Sequence, residues 1–160
     1  MIERLLVPVD FSDASAAAVS LAGRLAQGCG AAVTLLHAEA LEAPVYFTRE
    51  QVDQLAAERR QRQQQAEAYL NKFGRAHTNV TFTSLIATRP PVEAITQEAR
   101  TADLVVLGTH GRRGPQLWWL GSVAERVLRD LTTPVLVVHA GDVPAAAITR
   151  IAVHAAPGLT

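Results

Sequence analysis

An α/β fold with a doubly wound, five-stranded parallel sheet is what this sequence predicts, and three observations carry the expectation. Its apolar residues gather in short unbroken runs, such as Leu104 to Leu107 and Val135 to Val138. Such runs suit strands buried on both faces. Strand-like runs alternate with helix-like patterns along the chain, which implies parallel strands joined by right-handed crossovers. A glycine-rich loop lies between the fourth run and a helix start, where sheets of this kind place their ligands.

Leu5, Leu6 and Val7 make the first strand, and Pro8-Val9-Asp10 ends it. Ser12 or Asp13 can cap a helix to about Gln27, with Ala17, Leu21 and Leu25 inward and Gly28 and Gly30 stopping it. Ala32 to Ala38 reads as the second strand, and His37 at its end reads as a satisfied polar terminus. Residues 39–48 read as a connection containing Pro44, Tyr46 and Phe47. A helical pattern then runs from Arg49 to about His77, its stripe formed by Val52, Leu55, Ala56, Ala66, Tyr69, Leu70 and Phe73. Its middle, ERRQRQQQ, is polar all round; Arg59, Arg60 and Arg62 read as a solvated face, because no aromatics interleave.

Val80 to Ala87 is the third strand and alternates as an edge strand does. Pro90-Pro91 stops it and starts a helix through Arg100 with Val92, Ile95 and Ala99 inward. The fourth strand follows, then the loop, then a helix to about Leu131, and Val135 to His139 is the fifth strand. The order 3-2-1-4-5 places the chain reversal between strands one and four, whose ends carry Asp10 and Gly108. Topology and loop chemistry thus point to one crevice. Asp10 reads either as a turn or capping residue or as a ligand-facing carboxylate.

The segment LVVLGTHGRRGPQLWWLGSV, from Leu104 to Val123, is the richest in chemistry. Gly108 and Gly111 follow the strand, nine residues separate Gly111 from Gly121, and Ser122 opens the helix. Glycines let backbone N–H groups approach an anion, and a helix start adds unpaired N–H groups and a positive dipole end. Ser122 can cap the helix and donate its hydroxyl to a phosphate oxygen or to a metal ligand shell. By spacing alone a plain turn and helix start remain an alternative, since the segment is neither G-x-G-x-x-G nor G-x-x-x-x-G-K-[ST].

Composition narrows the classes. One hundred and sixty residues suit one domain, and fifteen acidic residues balance fifteen basic ones. No global field therefore favours nucleic acid or an anionic membrane. No apolar run approaches the ~20 residues of a membrane helix, and no signal-like stretch precedes the first strand. Cys29 is the lone cysteine, so neither an internal disulfide nor a cysteine metal cluster is expected. A reducing cytoplasm is the expected setting.

Gly108-x2-Gly111-x9-Gly121-Ser122 matches the G-2x-G-9x-G-(S/T) motif of ATP-binding members of the universal stress protein family. The chain resembles that family from LLVPVDFSDAS near the start to PVLVVH after the motif. The resemblance implies a nucleotide-binding α-hydrolase-like fold over residues 1–142, with 143–160 as a tail. It implies ATP, with Mg²⁺ bridging phosphate oxygens. Asp10, flanked by Pro8 and Val9, would lie against the nucleoside and Ala38 would line the base pocket. Gly108 and Gly111 would approach ribose and phosphates, with Arg112 beside them, while Gly121, Ser122 and Val123 would wrap the phosphate tail. Thr88 departs from the family's usual glycine before the Pro90 turn.

A response-regulator receiver shares the topology but needs an acid cluster, a phosphoacceptor Asp after strand three and a Lys after strand five. Here those places hold a single Asp10, Ala87-Thr88 and His139. An ATP-binding regulatory protein is the favoured reading. A slow ATPase or nucleotide-transferring enzyme on the same site, and a nucleotide-free partner-binding module, are the alternatives. Fast phosphoryl transfer needs a base, a metal-holding acid and a cation on the γ-phosphate, and only Asp10, Arg112 and Arg113 are at hand. Trp118 and Trp119 read as an apolar lid or a docking patch for another protein. Strand five, an apolar sheet edge, is expected to pair with its two-fold copy in a homodimer. Ile148 to Val153 alternates like one more short strand.

Overall fold

In the computed structural model, residues 2–40, 49–109 and 121–139 are described. Gly111, Arg112, Trp118, Trp119, residues 41–48 of the expected connection and the strand expected at 148–153 lie outside the described residues.

Strands β1 (Arg4–Pro8), β2 (Ala32–Ala38), β3 (Phe82–Ala87), β4 (Leu104–Thr109) and β5 (Val135–His139) form one parallel sheet. Its order is β3-β2-β1-β4-β5, as expected, so β5 and β3 are its edges among the described residues. Helices α1 (Asp13–Cys29) and α2 (Arg49–His77) pack on one face, and α3 (Pro91–Glu98) and α4 (Ser122–Asp130) on the other.

Strand alternation sorts the core into two layers. Leu5, Val7, Val33, Leu35, Val106, Leu136 and Val138 meet Ala18, Val19, Ala22 and Leu70 on the α1–α2 side. Leu6, Leu36, Val105, Leu107 and Val135 meet Ala94, Ile95, Ala124 and Val127 on the α3–α4 side. Leu5, Leu35, Leu36 and Leu70 are fully buried. Burying each such side chain contributes about 1.5–3 kcal/mol.

Several boundaries differ from the expectation for identifiable reasons. Helix α1 runs through Gly28 and ends at Gly30, whose φ of 72° supplies the left-handed cap. Strand β3 begins at Phe82 rather than Val80, because its pairing starts where Phe82 meets Val33, next to the first residue of β2. After α3 the chain tightens into a 3₁₀ turn, Ala99–Thr101. Tyr69 is 55% exposed instead of inward, since Leu70 one position on takes the core-facing position. Within α2 the polar middle is exposed at Arg60 to Gln65.

The ends of β1 and β4 away from the crevice are stitched by Asp103. Its carboxylate accepts the N–H groups of Glu3 and Arg4 at 2.9 Å each and the Arg4 guanidinium at 3.1 Å. These bonds favour the charged form and hold the carboxyl down at about 2.

Candidate functional site

At the opposite ends of the same strands a cavity of about 220 Å³ opens between the two halves of the sheet. Pro8, Val9 and Asp10 from the end of β1, Ala38 from β2 and Gly108 from β4 line it, together with Gly121, Ser122 and Val123 at the start of α4. Eight of the ten residues selected from sequence therefore share one cavity, and the other two, Gly111 and Arg112, lie outside the described residues. Also in the lining are Ser15, Leu36, Pro91, Ile95, Leu107, Thr109 and Ala124, which the sequence reading did not select. Pro91 and Ile95 had a usable signal: a helix starting at Pro91, straight after β3, turns its first inward residues towards the crevice.

Helices α1, α3 and α4 all begin beside this cavity, and α1 and α4 begin differently. Asp10 Oδ1 accepts the Ser12 N–H at 3.0 Å and the Ser12 hydroxyl at 2.5 Å. Ser12 Oγ in turn accepts the Ser15 N–H, capping α1. Of the two readings of Asp10, the turn role is thus present, and the residue borders the cavity as well.

Phe11 between them has φ of 63°, a left-handed conformation that costs a bulky residue of order 1–3 kcal/mol. Three rings hold it there: His37 at 4.5 Å, Tyr69 at 4.6 Å and Phe73 at 5.4 Å between centroids. His37 Nδ1 donates to the Val9 carbonyl at 2.8 Å, which makes it the satisfied polar terminus expected. This aromatic brace had no sequence signal, because it joins the turn after β1 to β2 and to α2.

Gly108 contributes through packing. A Cβ there would collide with the Ala14 carbonyl group and come within 2.7 Å of the Ser15 nitrogen. The glycine lets the first turn of α1 lie directly on β4. Gly121 is the opposite case, since a Cβ there would meet nothing within 4 Å. Its φ of −63° and ψ of 154° are open to any residue.

The expectation that Ser122 caps α4 is corrected. Gly121 is the N-cap, it makes no side-chain cap bond, and Ser122 is already the first helical residue. The first N–H groups of α4 therefore start at the cavity rim without a side-chain partner at the cap. Thr109, buried at 1% exposure, closes the floor with its hydroxyl 2.8 Å from His139 Nδ1. Among the described residues no cluster of three His, Cys, Asp or Glu is placed to hold a metal. None of their helices is long and apolar enough to cross a membrane.

Comparison with known proteins follows the same outline. The model of the universal stress protein family matches residues 1–139. A universal stress protein of Methanocaldococcus jannaschii is 30% identical over 138 residues, covering 85% of this chain and 81% of that one. One from Mycolicibacterium smegmatis is 49% identical over 49 residues, 31% of this chain; the match spans 17% of that relative's length. A solved universal stress protein in complex with cAMP superposes with a TM-score of 0.60 at 27% identity, covering 87% of this chain and 98% of the other.

Proposed function

The chain belongs to the universal stress protein family, and from that premise we propose that it is a cytoplasmic, ATP-binding regulatory protein of the stress response. The observation that carries the reading is the cavity at the β1–β4 switch point, rimmed by a helix start that its own side chains leave uncapped. Unpaired N–H groups and the positive end of a helix dipole favour a phosphate. In this reading the triphosphate lies along Gly121, Ser122 and Val123. The loop residues Gly111 and Arg112 add contacts to it, and the ribose sits by Asp10 with Pro8, Val9 and Gly108 around it. The base lies towards Ala38, where Leu36, Ile95 and Leu107 supply apolar surface for a planar ring. The cAMP complex of a structural relative supports an adenine nucleotide.

Mg²⁺ would accompany the triphosphate and would supply positive charge that lowers the repulsion among its oxygens. The site suits holding a nucleotide better than cleaving it. Asp10, the acid at hand in the cavity, is already tied into the turn by two bonds from Ser12, and phosphoryl transfer needs a placed base, a metal-holding acid and a cation together. Edge strand β5 supports pairing with a second copy of the chain, giving a homodimer.

Calorimetric titration of the full chain with Mg-ATP tests the reading. Binding at about micromolar Kd or tighter is expected, with the nucleotide recovered intact. Gly121→Val should weaken it at least about 100-fold, or 2.7 kcal/mol, without moving the unfolding midpoint, because the added side chain enters the cavity rim and not the protein. Equal affinities for the two proteins, or no binding by the wild type, would overturn the proposal.

A further inference from the structure

Thr109 ends β4 and pairs across the strands with His139, the last residue of β5. Both follow the alternation of Val105, Leu107 and Val135, so their side chains stand on the α3–α4 face of the sheet, the side on which α4 begins. Thr109 is buried and borders the cavity, and its hydroxyl lies 2.8 Å from His139 Nδ1. A threonine hydroxyl has one hydrogen to give. When Nδ1 of a neutral imidazole carries a lone pair, that hydrogen is spent on His139 and lone pairs remain for a ligand. An imidazolium forbids this arrangement. Its Nδ1–H must donate to Oγ1, and the hydroxyl hydrogen is released towards the cavity, where an anionic oxygen can accept it.

We propose that Thr109, oriented by His139, is a ligand-contacting residue that donates to a phosphate oxygen, and that His139 takes up a proton from solvent as the anion binds. The inference rests on the nucleotide reading above and adds to it a further contact and its control. Proton and phosphate then bind with positive coupling, each raising the affinity for the other. His139 is the positioning residue; imidazole is the side chain whose charge changes near physiological pH.

Among the described residues, the other charged groups nearby leave this role to His139. Strands β4 and β5 carry no further titratable side chain. Helix α4 turns Val123, Ala124 and Val127 to the core and keeps Glu125, Arg126 and Arg129 exposed, with Arg129 bound to Glu125 at 3.0 Å. Asp130 is exposed at the far end of α4, and Asp13 is exposed on α1 across the sheet. Asp10, on the cavity's other wall, is engaged by Ser12.

The test is the pH profile of Mg-ATP affinity, from about pH 8 to about pH 5, for the wild type and three variants of the full chain. Taking ratios to His139→Asn at each pH cancels the titration of ATP itself. The wild-type affinity relative to His139→Asn should rise at least about fivefold as pH falls. Thr109→Ser should keep that rise, and Thr109→Val should lose it. Parallel profiles for wild type and His139→Asn would overturn the coupling while leaving nucleotide binding in place. A rise that survives in Thr109→Val would overturn the role of Thr109. Absence of ATP binding by the wild type would overturn this inference together with the reading beneath it. If Thr109→Val fails to fold, Thr109→Ser and His139→Asn still decide, because a rise lost in Thr109→Ser counts against the hydroxyl.

Discussion

The starts of α1 and α4 border the same cavity, yet one is closed by the protein and the other is left open. Helix α1 is capped by Ser12, Ser12 is held by Asp10, and the first turn is pressed onto Gly108. Helix α4 begins at Gly121 with no cap bond and with open space where a side chain would be. Both starts carry the positive end of a helix dipole and N–H groups that find no partner within the helix. The difference teaches that glycines beside one cavity can do unrelated work: Gly108 lets two elements touch, and Gly121 stands at the cavity rim with open space around it.

Breaking the closed side should have the largest effect on stability. Gly108→Val would drive a side chain into the Ala14 carbonyl and should cost about 3 kcal/mol, the upper range for overpacking. Urea unfolding would measure it, in contrast to the unchanged midpoint expected for Gly121→Val. A Gly108→Val protein as stable as the wild type, but unable to bind ATP, would make Gly108 a ligand glycine after all.

Ser12→Ala should come next. It removes the acceptor for the Ser15 N–H and one of the bonds to Asp10, and loss of such a cap costs about 1 kcal/mol. Thermal unfolding of the variant is the measurement, and an unaltered melting temperature would mean that the cap is replaced by water at no cost.

The smallest effect concerns the other end of β1 and β4. The Asp103 carboxyl lies at about 2 in the folded chain, below the ordinary carboxylate value of about 4. Its contribution is therefore fully present above about pH 4 and is lost as pH falls through the folded value. Asp103→Asn should destabilise modestly at neutral pH, because the pair is solvent-screened. The gap between variant and wild type should narrow below about pH 4. A gap that stays constant down to the acid limit would show that the carboxylate's charge is not what holds Glu3 and Arg4.

Much of the fold was legible because local rules and tertiary structure agree. The run AVTLLHA is β2 to the residue, and RLLVP and VLVVH needed only the recognition that both faces are buried. The alternation of strands with helices then restricts the sheet to right-handed parallel crossovers, and the switch point follows. The candidate site was legible as a neighbourhood for the same reason, since ligand-facing loops in such sheets sit at strand ends. Tertiary structure alone decided how each residue serves it. Whether Gly108 meets a ligand or a helix depends on where α1 lies, which is set by the burial of Ala18, Val19 and Ala22 some way along the chain. Whether Ser122 caps α4 depends on where the loop turns into the helix, one residue earlier than its hydroxyl would require. The left-handed Phe11 is affordable only because His37, Tyr69 and Phe73 converge on its ring, and Thr109 meets His139 only through the β4–β5 register. Periodicity and turn chemistry are written in neighbouring residues, whereas close approach, strain and pairing across strands belong to residues that only folding brings together.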